Sequence, residues 1–154
     1  MNKIINNLVN SVNVEHSCSF QHYSGIYKNG KRLYHGCNHL RNSYNNECIC
    51  YSTHAEMDVL FKVLKKKVKP FKELVDLSDH IIVVVRFGKD GNLKNSRPCN
   101  QCLDIMTKYR IKKIMYSTDD GTFKVDKPGE MEKTHVSSGW YIFNGEREFQ
   151  KKIK

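Results

Sequence analysis

The sequence predicts a mixed α/β fold, with one sheet covered by helices. Three observations lead there. His80 to Phe87 (HIIVVVRF) is apolar on both faces, as a central strand must be. Two helix-like segments, Thr53 to Val68 and Pro98 to Arg110, each lead on towards a strand, so helix and strand alternate. Asn29-Gly30 lies between two strand-like runs and is the strongest short hairpin signal.

Taken in order, residues 3 to 14 carry Ile4, Ile5, Leu8, Val9 and Val12, a spacing that suits one face of a short helix. Residues 19 to 28 read as a strand, and Arg32 to Cys37 returns as its hairpin partner. Asn38 to Tyr51 is polar and irregular and reads as a loop. In the helix from Thr53 to Val68, Val59, Leu60, Val63 and Leu64 form the inward stripe, and Pro70 stops it. Phe71 to Leu77 has the pattern of a short further helix. After the central strand, Gly88 to Arg97 is a loop, and Pro98 suits the first turn of the next helix. Ile111 to Tyr116 and Thr122 to Val125 are strands joined by the turn Ser117 to Gly121. Thr134 to Val136 and Trp140 to Phe143 have short strand patterns ahead of a charged tail.

Composition excludes several classes. The longest apolar run, Ile81 to Val85, is far too short to span a bilayer, so no membrane partner is expected. Met1 to Val14 lacks a continuous apolar stretch and does not read as a signal peptide. The expected location is therefore intracellular and cytoplasmic, where six cysteines point to metal, redox chemistry or burial rather than disulfides. The net charge of +10 favours anionic partners, nucleic acid among them. Twenty of the 26 basic residues are lysines, however, and with 14 Asn and 11 Ile they share A/T-rich codons. Genome composition is thus a competing source of the charge.

Two motifs carry chemistry. His54-Ala55-Glu56 opens one helix and Pro98-Cys99-Asn100-Gln101-Cys102 opens another. Successive crossovers bring such helix starts to the same edge of a sheet. Cys99 and Cys102 are i, i+3 on one helical face, at the positive end of the dipole, which favours thiolate. With His54 they make three ligands for Zn²⁺, leaving the fourth tetrahedral position for water, the layout of a catalytic site. Glu56, two residues on, is placed to move protons without binding the metal. Each motif alone has a duller reading. Thr53-x-x-Glu56 fits a capping box, and Cys99-x-x-Cys102 fits a thioredoxin-like pair. Neither explains why both motifs occur together at helix starts.

This H-x-E…P-C-x-x-C arrangement resembles the cytidine deaminase-like superfamily, over roughly residues 18 to 126. The resemblance implies a three-layer α/β/α fold with a mixed five-stranded sheet. It implies His54, Cys99 and Cys102 as zinc ligands, Glu56 as the catalytic proton shuttle, and Asn38 and the Ala55 backbone N–H as substrate contacts. It also implies a homo-oligomer, dimer or tetramer. The chain then reads as one deaminase domain, 1–154, with its core at 18–126 and an extension at 127–154. Forty-one residues separate Glu56 from Pro98, longer than in compact members; the excess falls in Pro70 to Asp79 and Gly88 to Asn95. Arg97, just before the motif, is a candidate substrate contact for a phosphate, where its planar fork would suit the oxygens. Cys18, Cys48 and Cys50, with His16, His22, His35 and His39, are candidates for a second, structural metal site, although Cys48-x-Cys50 lacks the usual ligand spacing.

The turn Ser117 to Gly121 is too short for a parallel crossover, so the last two core strands should be antiparallel. Within the superfamily that hairpin resembles the free-nucleoside cytidine deaminases and the toxin-like or plant-editing deaminases. The expected function is zinc-dependent hydrolytic deamination of a small cytosine nucleoside or nucleotide to the uracil product. Two alternatives stay open: a deaminase of single-stranded RNA or DNA, and a non-enzymatic zinc-stabilised binding module.

Overall fold

The computed structural model describes residues 2–12, 21–39, 43–45, 48–50, 53–67 and 75–137. Helix α1 is Asn2–Val9, followed by the hairpin β1 Gln21–Lys28 and β2 Lys31–Cys37. Two short strands, β3 Ser43–Asn45 and β4 Cys48–Cys50, precede helix α2, Ala55–Lys67. Then come β5 His80–Phe87, β6 Leu93–Lys94, helix α3 Asn100–Lys108, β7 Lys113–Ser117 and β8 Phe123–Asp126. A 3₁₀ turn at Pro128–Glu130 follows.

The strands form a mixed sheet of order β2-β1-β5-β7-β8, with β6 pairing β5 off this path. The five-stranded path is the expected one, and the sixth strand is two residues long. β5 is central: β1 pairs it antiparallel and β7 pairs it parallel. β7 and β8 are antiparallel, from Ile114 opposite Asp126 to Ser117 opposite Phe123. The β1–β2 turn has Asn29 at φ 50° and Gly30 at φ 75°, the two left-handed residues that a type I′ hairpin demands.

Side-chain alternation along β5 sends Ile82 and Val84 to one face and Val83 and Val85 to the other. The first face packs against α2 and α3, through Val59, Leu60, Val63, Leu103 and Met106. The second receives Ile5 and Leu8 of α1, together with Tyr23, Tyr27 and Met115. Helices therefore cover both faces, and the inward stripe expected of α2 is the buried one. Burying each of these large apolar side chains stabilises the fold by roughly 1.5–3 kcal/mol.

Several boundaries differ from expectation. α1 ends at Val9, although Val12 still packs on the same cluster. The expected loop after Asn38 contains the β3–β4 ladder, Ser43 opposite Cys50 and Asn45 opposite Cys48. The loop after Phe87 contains β6, placed by a turn in which Gly88 N–H donates to the Asn92 carbonyl. α3 begins at Asn100, so Pro98 precedes the helix instead of sitting in its first turn. Residues 131–137 contain no strand, which overturns the pattern at Thr134 to Val136. The expected strand at Trp140 to Phe143 falls outside the described residues, as does most of the expected helix at Phe71 to Leu77, whose described residues 75–77 are not helical. Among the described residues no helix is long and apolar enough to cross a membrane.

Candidate metal and catalytic centre

The sheet directions bring the two motifs together. β1 is antiparallel to both β2 and β5, so β2 and β5 run the same way. The connection through α2 joins them, and the connection through α3 joins β5 to its parallel neighbour β7. Both helices therefore start at the carboxyl edge of the sheet, where α/β folds place their ligands.

Each start is held in place. His39 and Thr53 form an isolated antiparallel bridge, with N–H to carbonyl distances of 3.1 and 3.0 Å. In that register Asn38 lies opposite His54. The His54 carbonyl accepts the first helical bond of α2, from Asp58 at 2.9 Å, and so His54 is the N-cap. Thr53, the first residue of the Thr53-x-x-Glu56 pattern, lies one position before that cap. The Ser24 hydroxyl donates to the Ala55 carbonyl, tying the turn to β1. On the other side, Ser96 Oγ donates to the Val84 carbonyl at 2.9 Å and lies 2.9 Å from Ser117 Oγ. Both serines are buried. They hold the approach to Cys99 against the ends of β5 and β7.

The result is a triangle of donor atoms. His54 Nδ1 lies 3.6 Å from Cys99 Sγ and 3.3 Å from Cys102 Sγ, and the two sulfurs are 3.4 Å apart. A tetrahedral zinc with ordinary bond lengths needs donor separations of about 3.6–3.8 Å, so the triangle is within a few tenths of an ångström of what it would hold. Two soft thiols and an imidazole also suit zinc chemically. Among the described residues, these three form the one group of His, Cys, Asp or Glu side chains gathered closely enough to hold a cation.

The electrostatics agree with a site built for positive charge. The Cys99 thiol is held down to about 4 by the adjoining Cys102 and by His54, against the opposing effect of burial. Cys102 is pushed well up by its contact with Cys99 and by burial. Burial works against the charge on His54, but Cys99 and Glu56 outweigh it and hold the imidazole up to about 9. Glu56 is 4 % exposed, and its Oε1 is 3.9 Å from His54 Nδ1. Burial pushes its carboxyl up from the usual carboxylate range.

The remaining expected contacts fall at different places. Ala55 is the first residue of α2, so its N–H is one of the donors a helix start leaves without an intrahelical partner. Asn38 follows β2, and its Oδ1 accepts the His22 N–H at 3.0 Å. Arg97 precedes Pro98, and its guanidinium donates to the Glu132 carbonyl and to Thr134 Oγ1. Of the second-metal candidates, His16 and Cys18 lie outside the described residues, Cys48 and Cys50 belong to β4, His22 and His35 to β1 and β2, and His39 follows β2.

One residue the sequence did not single out for this centre is His22. It pairs in register with Arg86 on the neighbouring strand. Burial, followed by the charges of Arg86 and His54, holds its imidazole down to about 4. Its even-numbered place on β1, in phase with Ser24 and Ile26, was the available signal.

A family model for the cytidine and deoxycytidylate deaminase zinc-binding region matches residues 14–118. No curated protein matches the chain significantly. Among solved structures, the cytidine deaminase from Burkholderia pseudomallei superposes with a TM-score of 0.53 at 19% identity, covering 79% of this chain and 86% of that one. That likeness concerns the fold. The match to the family model spans both motifs and the strands between them, and zinc is the metal that the His/Cys/Cys group suits: the chain belongs to the cytidine and deoxycytidylate deaminase zinc-binding family.

Proposed function

We propose that the protein hydrolytically deaminates a small cytosine nucleoside or nucleotide, with His54, Cys99 and Cys102 as the zinc ligands and Glu56 as the proton shuttle. The observation that carries this reading is the buried Glu56 carboxylate beside, but outside, the three-donor triangle. When bound, zinc supplies a water acidic enough to attack at neutral pH. Glu56 accepts a proton from the attacking water and delivers it to the departing amine, so that water adds at the ring carbon and ammonia leaves. Its raised carboxyl pKa suits a group that must both take and give a proton near neutrality. The Ala55 N–H and Asn38, on either side of His54, are read as the groups that orient the base and the sugar.

The antiparallel β7–β8 hairpin supports cytosine as the base, as it resembles the branch that holds the free-nucleoside cytidine deaminases together with the toxin-like and plant-editing ones. The net charge of +10 favours the competing reading, a single-stranded nucleic acid. The deciding measurement is kcat/KM for deoxycytidine, its monophosphate and a short single-stranded oligonucleotide, each at two salt concentrations. The mononucleoside or mononucleotide should be preferred at both. A preference for the oligonucleotide that survives high salt would overturn the small-substrate reading. Product from adenine or guanine substrates alone would overturn the base. We read residues 18–126 as the catalytic core and 127–154 as an extension of one domain, and expect a dimer or tetramer by light scattering.

A further inference from the structure

Cys99 occupies the N-cap position of α3 and makes no side-chain capping bond. Its sulfur is turned to His54 and Cys102 instead. The first N–H groups of the helix therefore need an acceptor from elsewhere. The segment 131–137, far along the chain, provides one. The Asn100 N–H, first of the helix, donates to the His135 carbonyl at 2.7 Å, and the His135 N–H donates back to Asn100 Oδ1 at 3.1 Å.

Other contacts keep this strap in place. The Arg97 guanidinium holds the Glu132 carbonyl and the Thr134 hydroxyl. One turn along α3 from Asn100, Asp104 pairs with Lys133 at 2.5 Å. Both ends are pinned: Pro128 is buried, Met131 packs on the cluster that contains Leu103 and Met106, and Ser137 is buried. The strap thus runs past the start of the helix that carries both cysteines.

We propose that Asn100 is a positioning residue for the metal centre. Its paired bonds with His135 give the first N–H of α3 an acceptor from the strap, which fixes the first turn of α3 and the Cys99–Cys102 spacing against His54. The inference rests on reading these three residues as the zinc ligands, and not on the substrate.

The test is zinc release to a chromophoric chelator from the zinc-loaded full chain, comparing the parent with Asn100→Ala, Asn100→Asp and Arg97→Ala. Groups that orient metal ligands typically affect metal affinity about 10–100-fold. Asn100→Ala should release zinc about tenfold faster or more, with an unchanged far-ultraviolet spectrum. Asn100→Asp keeps the acceptor for the His135 N–H and should recover most of the loss. Arg97→Ala, which loosens the strap without touching α3, should move release the same way, with faster amide exchange at Asn100. Parent-like release from Asn100→Ala, or equal release from the Ala and Asp variants, would overturn the proposal. Should Asn100→Ala not fold, parent-like release from Arg97→Ala alongside accelerated exchange at Asn100 would overturn it equally. A parent that binds no zinc would defeat the ligand reading and this inference with it, whereas a zinc-binding parent without deaminase activity would leave the inference standing.

Discussion

Replacing Glu56 by Gln removes one proton acceptor and changes little else. The side chain is 4 % exposed, and Gln has nearly its shape, so no cavity opens. Its carboxylate lies 3.9 Å from His54 Nδ1, outside the triangle set by the other three residues, so zinc should stay. The buried carboxyl is already held above its ordinary range, which makes its charged form costly at neutral pH. The variant should therefore melt no lower than the parent at pH 7. Turnover is another matter. A positioned general acid or base contributes ~10²–10⁴-fold, which is ~3–5 kcal/mol of barrier at 1.36 kcal/mol per decade. The assay is single-turnover deamination of deoxycytidine followed by mass, with zinc content and thermal melting on the same samples. The expected outcome is a loss in that range with full zinc and an undiminished melting temperature. Turnover within about tenfold of the parent would refute the shuttle role. Loss of zinc would instead place the carboxylate among the ligands.

Four further outcomes follow from the same geometry. Cys99→Ala should lose zinc by metal analysis, and parent-like occupancy would remove the proposed site; in the parent, zinc affinity should rise with pH, because Cys102 and His54 hold protons that the metal must displace. His22 is held down to about 4 from 6.5, so between those values the unfolded chain takes up the proton first and stability falls as the pH drops, by up to roughly 3 kcal/mol. Urea unfolding of His22→Gln from pH 7 to 4 should show a flatter dependence, and a slope equal to the parent's would mean the ring is protonated in the fold. Gly36→Ala would bring a Cβ to 2.2 Å from Asp58 Oδ2, displacing the carboxylate that pairs with Lys62 at 2.8 Å and lies 3.6 Å from His39 Nε2. A cost of about 1–3 kcal/mol is expected, read by thermal melting, together with a rise in KM as the first turn of α2 shifts.

What the sequence made legible was what local geometry dictates. The i, i+3 spacing of Cys99 and Cys102 puts two sulfurs on one face of any helix, and the alternation in His80 to Phe87 marks a strand buried on both sides. The five-residue turn after β7 is too short for a crossover and forces antiparallel pairing. The supports of the site were not legible, because they are non-local. Nothing in the sequence of Ser96 links it to Val84 and Ser117, and nothing near Asn100 points to His135. Nothing near Arg97 in the sequence points to the Glu132 carbonyl or the Thr134 hydroxyl, which its guanidinium holds from 35 and 37 residues away. The β3–β4 pair was missed because two three-residue strands in an Asn-rich stretch leave too little alternation to detect.

The same contrast explains how a long spacing between the motifs leaves the centre intact. Glu56 and Pro98 are separated by 41 residues, yet the loop length within that span does not set the distance from His54 to Cys99. That distance depends on the register of β1 with β5 and of β5 with β7, and on where α2 and α3 leave the carboxyl edge. Length inserted beyond the sheet, as at Gly88 to Asn92, is taken up by the β5–β6 hairpin, whose own bonds close it off from the centre. The residues that bear on the geometry are instead those that pin the two helix starts: Thr53 through His39, Ala55 through Ser24, Cys99 through Ser96 and the Asn100–His135 pair. A loop change at 88–92 should therefore be tolerated far better than a single substitution at any of these anchors, since a slip in a helix start moves a ligand atom directly.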